Sequence, residues 1–285
     1  MTTRVSLHLM QVGSCRHCER VANQRGRWKL VDFPSIAALI VHPQAGPVLF
    51  DTGYAEHFDT ATTPFPERLY RWATPVQLAP EQTLASQLHT LGYALSDIRL
   101  CLISHFHADH VAGMRDLPNA RFVAMGAEVS SVLAERSRFA LTRHGLLPGL
   151  LPDNFQQRLT LAESYPQRSL AAQWQAFGRA YDIFGDGSIM AVSLPGHSAG
   201  QMGLILRDQY DREVFLCADA CWSRAAWQQA SMPSALTRLV MHDWHQYRHT
   251  LQQLHTLGTR HPEIALLPSH CTDSLTAYRD GSTSC

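Results

Sequence analysis

The sequence predicts an α/β (α+β) fold in which two packed β-sheets are covered on the outside by helices. Predicted strands alternate with helical segments, adjacent strands recur in both halves of the chain, and the side chains capable of chemistry follow strands rather than helices. A single doubly wound parallel sheet would require strict alternation, which the adjacent strands break. A chain of 285 residues can bury a full core as one large domain or two small ones. No internal repeat or low-complexity tract divides it, so a single domain over residues 1–285 is expected.

Residues 35–42 (SIAALIVH) form a β-branched, apolar run that reads as a buried strand. Residues 47–50 read as a second strand, ended by the turn residues Asp51-Thr52-Gly53. Residues 81–91 carry Leu84, Leu88 and Leu91 at helical spacing, and residues 98–103 and 120–124 are short apolar strands. Residues 127–180 differ in texture. Helical patterns at 128–141 and 170–181 flank a proline-bearing loop, which predicts a helical insertion acting as a cap. Its Phe155 and Tyr165 are candidate substrate contacts, because apolar walls select the organic part of a substrate. Strands resume at 189–194, 202–206 and 214–217. A helix at 243–257 with Trp244, Tyr247, Leu251 and Leu254 on one face precedes a last strand at 264–267.

Composition narrows the partners. Lys+Arg and Asp+Glu both number 24, so no net field recruits a polyanion, and nucleic acid is not expected as a partner. No stretch approaches 18 consecutive apolar residues and no signal peptide is visible at the start, so no membrane partner is expected. Seven cysteines, an odd number without a regular framework, suit a reducing compartment, and a cytoplasmic location is expected. A small-molecule substrate is the expected partner, and a homodimer is compatible with these features. The unusual count is 16 histidines, which directs attention to where they cluster.

They cluster at His105-x-His107-x-Asp109-His110, directly after an apolar strand. Burying such polar groups without partners costs roughly 1–3 kcal/mol each, so packing alone does not explain them. On a tight loop they can converge on metal, since imidazole and carboxylate are ligands that Zn2+ accepts. His197, Asp219 and His270 each follow a further predicted strand, where a sheet delivers residues to a common edge.

In this order, HxHxDH, then GHSAG, then an aspartate after a strand and a late Ser-His, the pattern resembles the metallo-β-lactamase superfamily over residues 36–270. The resemblance implies a four-layer αββα sandwich with metals at the sheet edge. It also implies that His105, His107 and His197 bind one metal, that Asp109, His110 and His270 bind the other, and that Asp219 bridges both. Two Zn2+ ions are the implied cofactors, with Mn2+, Fe2+ or Co2+ as alternatives. The implied reaction is attack of a bridging hydroxide on an ester or lactone carbonyl, with Asp109 and Asp219 as the catalytic carboxylates.

The loop at 184–188, the Pro195-Gly196-His197 strand end and the full ligand set look most like the lactonase branch, which includes N-acyl-homoserine-lactone hydrolases. Those enzymes commonly carry tyrosine three residues after the bridging aspartate; here the position holds Trp222, a candidate substrate contact. Indole can donate a hydrogen bond but cannot protonate a leaving group, which favours an aromatic or bulky ester, lactone or phosphotriester. An arylester or organophosphate hydrolase, a glyoxalase II-like thioesterase and a non-catalytic ligand-sensing member of the fold remain as alternatives. Cys15-x-x-Cys18 with His17 between, Cys217 and Cys221, and the histidines at 242, 245 and 249 are read as structural or surface residues, and Asp51 as a turn-stabilising group behind the ligands.

Overall fold

A computed structural model describes residues 3–135 and 137–281. The first sheet contains β1 (Ser6–Cys18), β2 (Leu30–His42), β3 (Gly46–Phe50), β4 (Val76–Gln77), β5 (Leu100–Leu102), β6 (Arg121–Ala124) and β7 (Leu159–Leu161), in the order β4-β1-β2-β3-β5-β6-β7. The second contains β8 (Gln167–Arg168), β9 (Ala180–Asp182), β10 (Ile189–Ser193), β11 (Met202–Arg207), β12 (Glu213–Ala218) and β13 (Ala265–Pro268), in the order β13-β12-β11-β10-β9-β8. The antiparallel strands β1–β3 lead into the parallel run β3-β5-β6-β7, and β12 and β13 are also parallel.

Strand alternation builds the layers. Ala38 and Ile40 of β2 face Leu204 and Leu216 of the second sheet in one buried core, while Ala37 and Leu39 face outward. That outer face is covered by Phe58, Leu84, Leu88 and Val111 from helices and turns. The outer face of the second sheet, with Val192, Ile205 and Phe215, is covered by Tyr247, Leu251 and Leu254 of the helix Trp244–Arg260. The result is the expected helix–sheet–sheet–helix sandwich.

β1 is the long element that sequence patterning does not announce. Its register against β2 shifts between Gln11 and Ser14, around Gly13, whose φ of +81° favours glycine. A side chain at Gly13 would also crowd the Gln77 carbonyl. The bulge changes which residues share a face: Met10 and Val12 before it pack in the same core as Cys15 after it.

The stretch 127–180 is only partly helical. It begins within the helix Gly126–Ala134, continues through the helix Arg138–Arg143 and the short turn Phe155–Arg158, and then supplies β7 and β8. The helical pattern expected at 170–181 is a 3-10 segment, Ala172–Phe177, followed by β9. Trp174 and Phe177 have helix-like spacing because both pack on Phe215, and Gly178 at φ +74° ends the turn. This stretch therefore forms the edges of both sheets as well as helices.

Candidate metal centre

The candidate ligands emerge where strands of both sheets end. β5 leads through Ile103-Ser104 to His105, and His107 caps the short helix Ala108–Val111 that carries Asp109 and His110. His197 follows β10, Asp219 follows β12 at Ala218, and His270 follows β13. Ala218 (φ 46°) and Asp51 (φ 62°) both hold left-handed backbone beside the site. Gly196, at φ +130°, lets the His197 loop lie against the first turn of the helix Trp244–Arg260, where a Cβ would collide with the backbone nitrogen of Tyr247.

All seven candidate ligands come together. His105 Nε2 lies 3.0 Å from His107 Nδ1 and 3.1 Å from His197 Nε2, and the latter two nitrogens are 2.9 Å apart. On the other side, His270 Nε2 lies 3.3 Å from Asp109 Oδ2, and His110 Nε2 lies 3.6 Å from the same oxygen. Asp219 stands between the two groups: Oδ2 is 3.2 Å from His197 Nε2 and 3.1 Å from His270 Nε2, while Oδ1 is 3.3 Å from His110 Nε2.

Hydrogen bonds behind the rings fix their orientation, a familiar device around metals. Asp51 accepts from Ser104 N (2.7 Å) and Ser104 Oγ (2.7 Å) and pairs with His110 Nδ1 (2.8 Å). His270 Nδ1 is 2.7 Å from the Pro34 carbonyl, and Ser104 Oγ is 3.0 Å from His105 Nδ1. Asp51 thus stands behind the ligands, as expected. Glu128 performs a parallel task that sequence reading missed. This buried carboxylate accepts from Phe106 N (3.3 Å) and Gly200 N (2.9 Å), tying the His105–His110 loop to the His197 loop. Burial raises its pKa, opposed by these hydrogen bonds.

The electrostatics separate the two groups. Burial pushes His105 and His197 well below the ordinary imidazole range and His107 down to about 4, so all three are neutral near pH 7. Burial would also depress His110 and His270, but neighbouring carboxylates outweigh it: Asp109 first and then Asp219 hold His110 high, and Asp219 pushes His270 up to about 9. Asp219 is itself held well below the usual carboxylate range, because His270, His110 and His197 outweigh its burial.

This arrangement suits divalent metal. Three neutral imidazoles with nitrogens 2.9–3.1 Å apart cannot all satisfy one another, since each has only one N–H. A tetrahedral site with ~2.0–2.1 Å metal–nitrogen bonds spaces its nitrogens by about 3.3 Å, close to what is seen. His110 Nε2 and Asp219 Oδ1 are buried without a well-aligned hydrogen bond, which is costly unless a cation completes them. The ligand atoms fall into three compact sets: His105, His107 and His197; His105, His110 and Asp219; and Asp109, His110 and His270.

A cavity of about 880 Å³ opens above these residues, with Asp109, Asp219, His107, His197 and His270 at its floor. Its walls are largely apolar and include Phe33, Leu69, Phe139, Leu236 and Val240. Trp222 lines it as expected, yet its indole N–H is spent on Asp219 Oδ2 at 2.8 Å. Phe155 and Tyr165 do not line it. Phe155 packs its ring against Phe106 and Phe122 in the core beneath the first sheet, and Tyr165 packs against the core between the sheets. Both were expected as pocket residues because sequence gives their apolar character but not their direction. Within the stretch 127–180, it is the segment around the helix Arg138–Arg143 that walls the cavity.

Comparison with known proteins gives several relatives. The family described as Anti-Pycsar protein Apyc1 matches residues 81–282. N-acyl homoserine lactonase AttM of Agrobacterium fabrum is 24% identical over 288 residues, covering 97% of this chain and 97% of its own. Probable metallo-hydrolase Rv2300c of Mycobacterium tuberculosis is 27% identical over 254 residues, covering 85% of this chain and 76% of its own. Among solved structures, a Bacillus thuringiensis AiiA mutant with N-decanoyl-L-homoserine bound at the active site superposes with a TM-score of 0.68 at 18% identity, covering 97% of both chains. AidC, a dizinc quorum-quenching lactonase, superposes with a TM-score of 0.65 at 15% identity, covering 96% of this chain and 90% of its own. These likenesses show a shared fold.

Proposed function

Since the chain belongs to the Anti-Pycsar protein Apyc1 family and has the metallo-β-lactamase fold of the lactonase branch, we propose that it is a dinuclear metal-dependent hydrolase that opens an ester or lactone bond in an apolar small molecule. The observation that carries this reading is the convergence of seven ligand-type side chains at the floor of an apolar-walled cavity of about 880 Å³. Relatives named as lactonases and a metallo-hydrolase support the bond type.

His105, His107 and His197 would hold one ion, Asp109, His110 and His270 the other, and Asp219 would join them, because its two oxygens reach both groups. Two divalent ions held there, zinc in this reading, would supply Lewis acidity and make water a better nucleophile at neutral pH. The protein's own part is orientation and exclusion of water. Asp51, Ser104 and the Pro34 carbonyl fix ring directions, and Trp222 holds one Asp219 oxygen in place. Asp109, which lines the cavity and whose Oδ2 lies 3.3 Å from His270 Nε2, would accept and pass a proton. The apolar walls hold the organic part of the substrate and strengthen the electrostatics at the floor.

The test is turnover by zinc-loaded protein of a panel of lactones, aryl esters, thioesters and phosphotriesters. We expect lactones or carboxylic esters with long apolar substituents to be cleaved fastest, with about two metal ions per chain by elemental analysis. Preferential cleavage of phosphotriesters or thioesters would move the reaction class, and one ion or none would end the dinuclear reading.

A further inference from the structure

Four segments, residues 16–30, 65–75, 137–145 and 234–240, frame the mouth of the cavity, and each contributes to its wall, through Val21, Leu69, Phe139 and Leu236 among others. Bonds between the segments close the frame into a collar. Arg16 N donates to the Pro75 carbonyl at 3.2 Å, and Arg138 pairs with Glu67 at 2.6 Å. His144 Nδ1 lies 3.5 Å from the Val240 carbonyl, and Ser234 N donates to the Val21 carbonyl at 3.0 Å. The collar holds nine of the twelve large apolar side chains that are exposed among the described residues; only Leu133, Leu161 and Tyr210 lie elsewhere.

Local geometry gathers these side chains into patches. Leu69 and Trp72, three apart on the helix Glu67–Ala73, share one face, and Leu236 and Leu239, three apart in the 3-10 segment Ala235–Leu239, share another. Phe65 and Phe139 meet edge-on with ring centres 5.3 Å apart, joining two of the segments. Trp28 is 83% exposed, with the Arg20 guanidinium 5.0 Å from its ring centre. Exposed apolar side chains gathered in this way mark a contact surface. Charge is gathered there too. The collar carries ten of the chain's 24 Lys and Arg but only Glu19 and Glu67 of its 24 Asp and Glu, an excess of eight positive charges. Asp32 and Asp59, just outside, pair with Arg16 and Arg71 and reduce the excess to six. The neutral total of the chain therefore conceals a basic face studded with aromatic and aliphatic side chains.

We propose that this collar seats the protein on an anionic lipid surface, with the cavity mouth turned toward the lipid. Tryptophan, phenylalanine and leucine settle at the level of the headgroups, while arginine and lysine reach the anionic groups beside them. A second copy of the chain would suit the apolar side chains but would press two basic faces together. A free polyanion would suit the charge but would leave Trp28, Trp72 and Leu239 in water. Among the described residues no helix is long and apolar enough to cross a membrane, and a contact at the surface needs none. The expectation of no membrane partner rested on that lack of a spanning segment.

The test is co-sedimentation of the zinc-loaded full chain with vesicles of phosphatidylcholine alone and of phosphatidylcholine mixed equally with phosphatidylserine. Partitioning onto the mixed vesicles should exceed that onto phosphatidylcholine by at least about tenfold, and added salt should weaken it. Trp72→Ser with Leu239→Ser should lower binding to the mixed vesicles about tenfold, and Arg25→Glu with Lys29→Glu should abolish the preference for phosphatidylserine. Tyr210→Ser removes a side chain as exposed as Trp72 (70% against 69%) but outside the collar, and should change nothing. All these residues are exposed, so the variants should keep the wild-type melting temperature. No binding to either vesicle, full binding by Trp72→Ser with Leu239→Ser, or an equal loss in Tyr210→Ser would overturn the proposal. So would a dimer in sedimentation velocity that Trp72→Ser with Leu239→Ser dissolves, in a protein that ignores vesicles, because the collar would then belong to a second copy. Binding to a DNA oligonucleotide in place of vesicles would likewise overturn it. Vesicle binding is read without any turnover, so failure of the hydrolase reading would leave the docking surface standing.

Discussion

At the scale of single residues, the site is built from imidazoles of two kinds. His105, His107 and His197 are kept neutral by burial, whereas nearby carboxylates hold His110 and His270 in the charged form. A metal entering between His105, His107 and His197 therefore displaces no proton near neutrality, because even His107 protonates only near 4. A metal entering beside His270 must displace a proton below about pH 9, and His110 adds a second. The sign follows directly: lowering the pH weakens the Asp109–His110–His270 position, and the other holds. Elemental analysis after equilibration between pH 5 and 8 should show occupancy falling from about two ions to one before it reaches none. Simultaneous loss of both ions would contradict the division.

Among the elements, the ligands depend on loops that strands deliver but do not hold rigid by themselves. Glu128 lies in the helix Gly126–Ala134, away from every ligand in sequence, yet its carboxylate clasps the loops of Phe106 and Gly200. Glu128→Ala would leave two buried backbone N–H groups unpaired, at a cost of about 2–4 kcal/mol. Denaturant unfolding should report that loss, and zinc affinity should fall with it because both ligand loops slacken. Full stability and unchanged zinc affinity would show that the loops hold their shape without the clasp.

Over the whole molecule, the centre lies where ends of both sheets meet, so its occupancy bears on the entire sandwich. β5 belongs to the first sheet and β10, β12 and β13 to the second, and all of them lead to the ligand cluster. Metal bound to this cluster in the native state alone adds stability by mass action, about 4 kcal/mol at a thousandfold excess over the dissociation constant. Chelation should lower the melting temperature by roughly 10 °C, since each kcal/mol is worth about 2–4 °C in a chain of this size. Readdition of zinc should restore it. A melting temperature indifferent to chelator would mean that the cluster is held by the fold alone.

The candidate ligand set was legible in the sequence because its chemistry is local: histidines and aspartates stand directly after apolar strands, and no packing role explains them together. The helix Trp244–Arg260 was legible for a similar reason, since its apolar stripe repeats with the helical period and Asp243 caps it. Direction was not legible. Phe155 and Tyr165 have the composition of pocket walls, but their segments turn them into the two cores. Nothing in the sequence singles out Glu128, whose partners are the backbones of Phe106 and of Gly200, 72 residues away. His17 reads as incidental because a single Cys15-x-x-Cys18 pair is a weak signal, and plain alternation along β1 from Met10 and Val12 would turn it to the opposite face. The bulge at Gly13 shifts that parity by one residue and brings the imidazole to the cavity. Sequence by itself therefore determined which atoms can bind metal, as that depends on residue type and on position after a strand. Tertiary structure alone decided which side chains line the cavity, as that depends on register and on the contacts that close between distant segments.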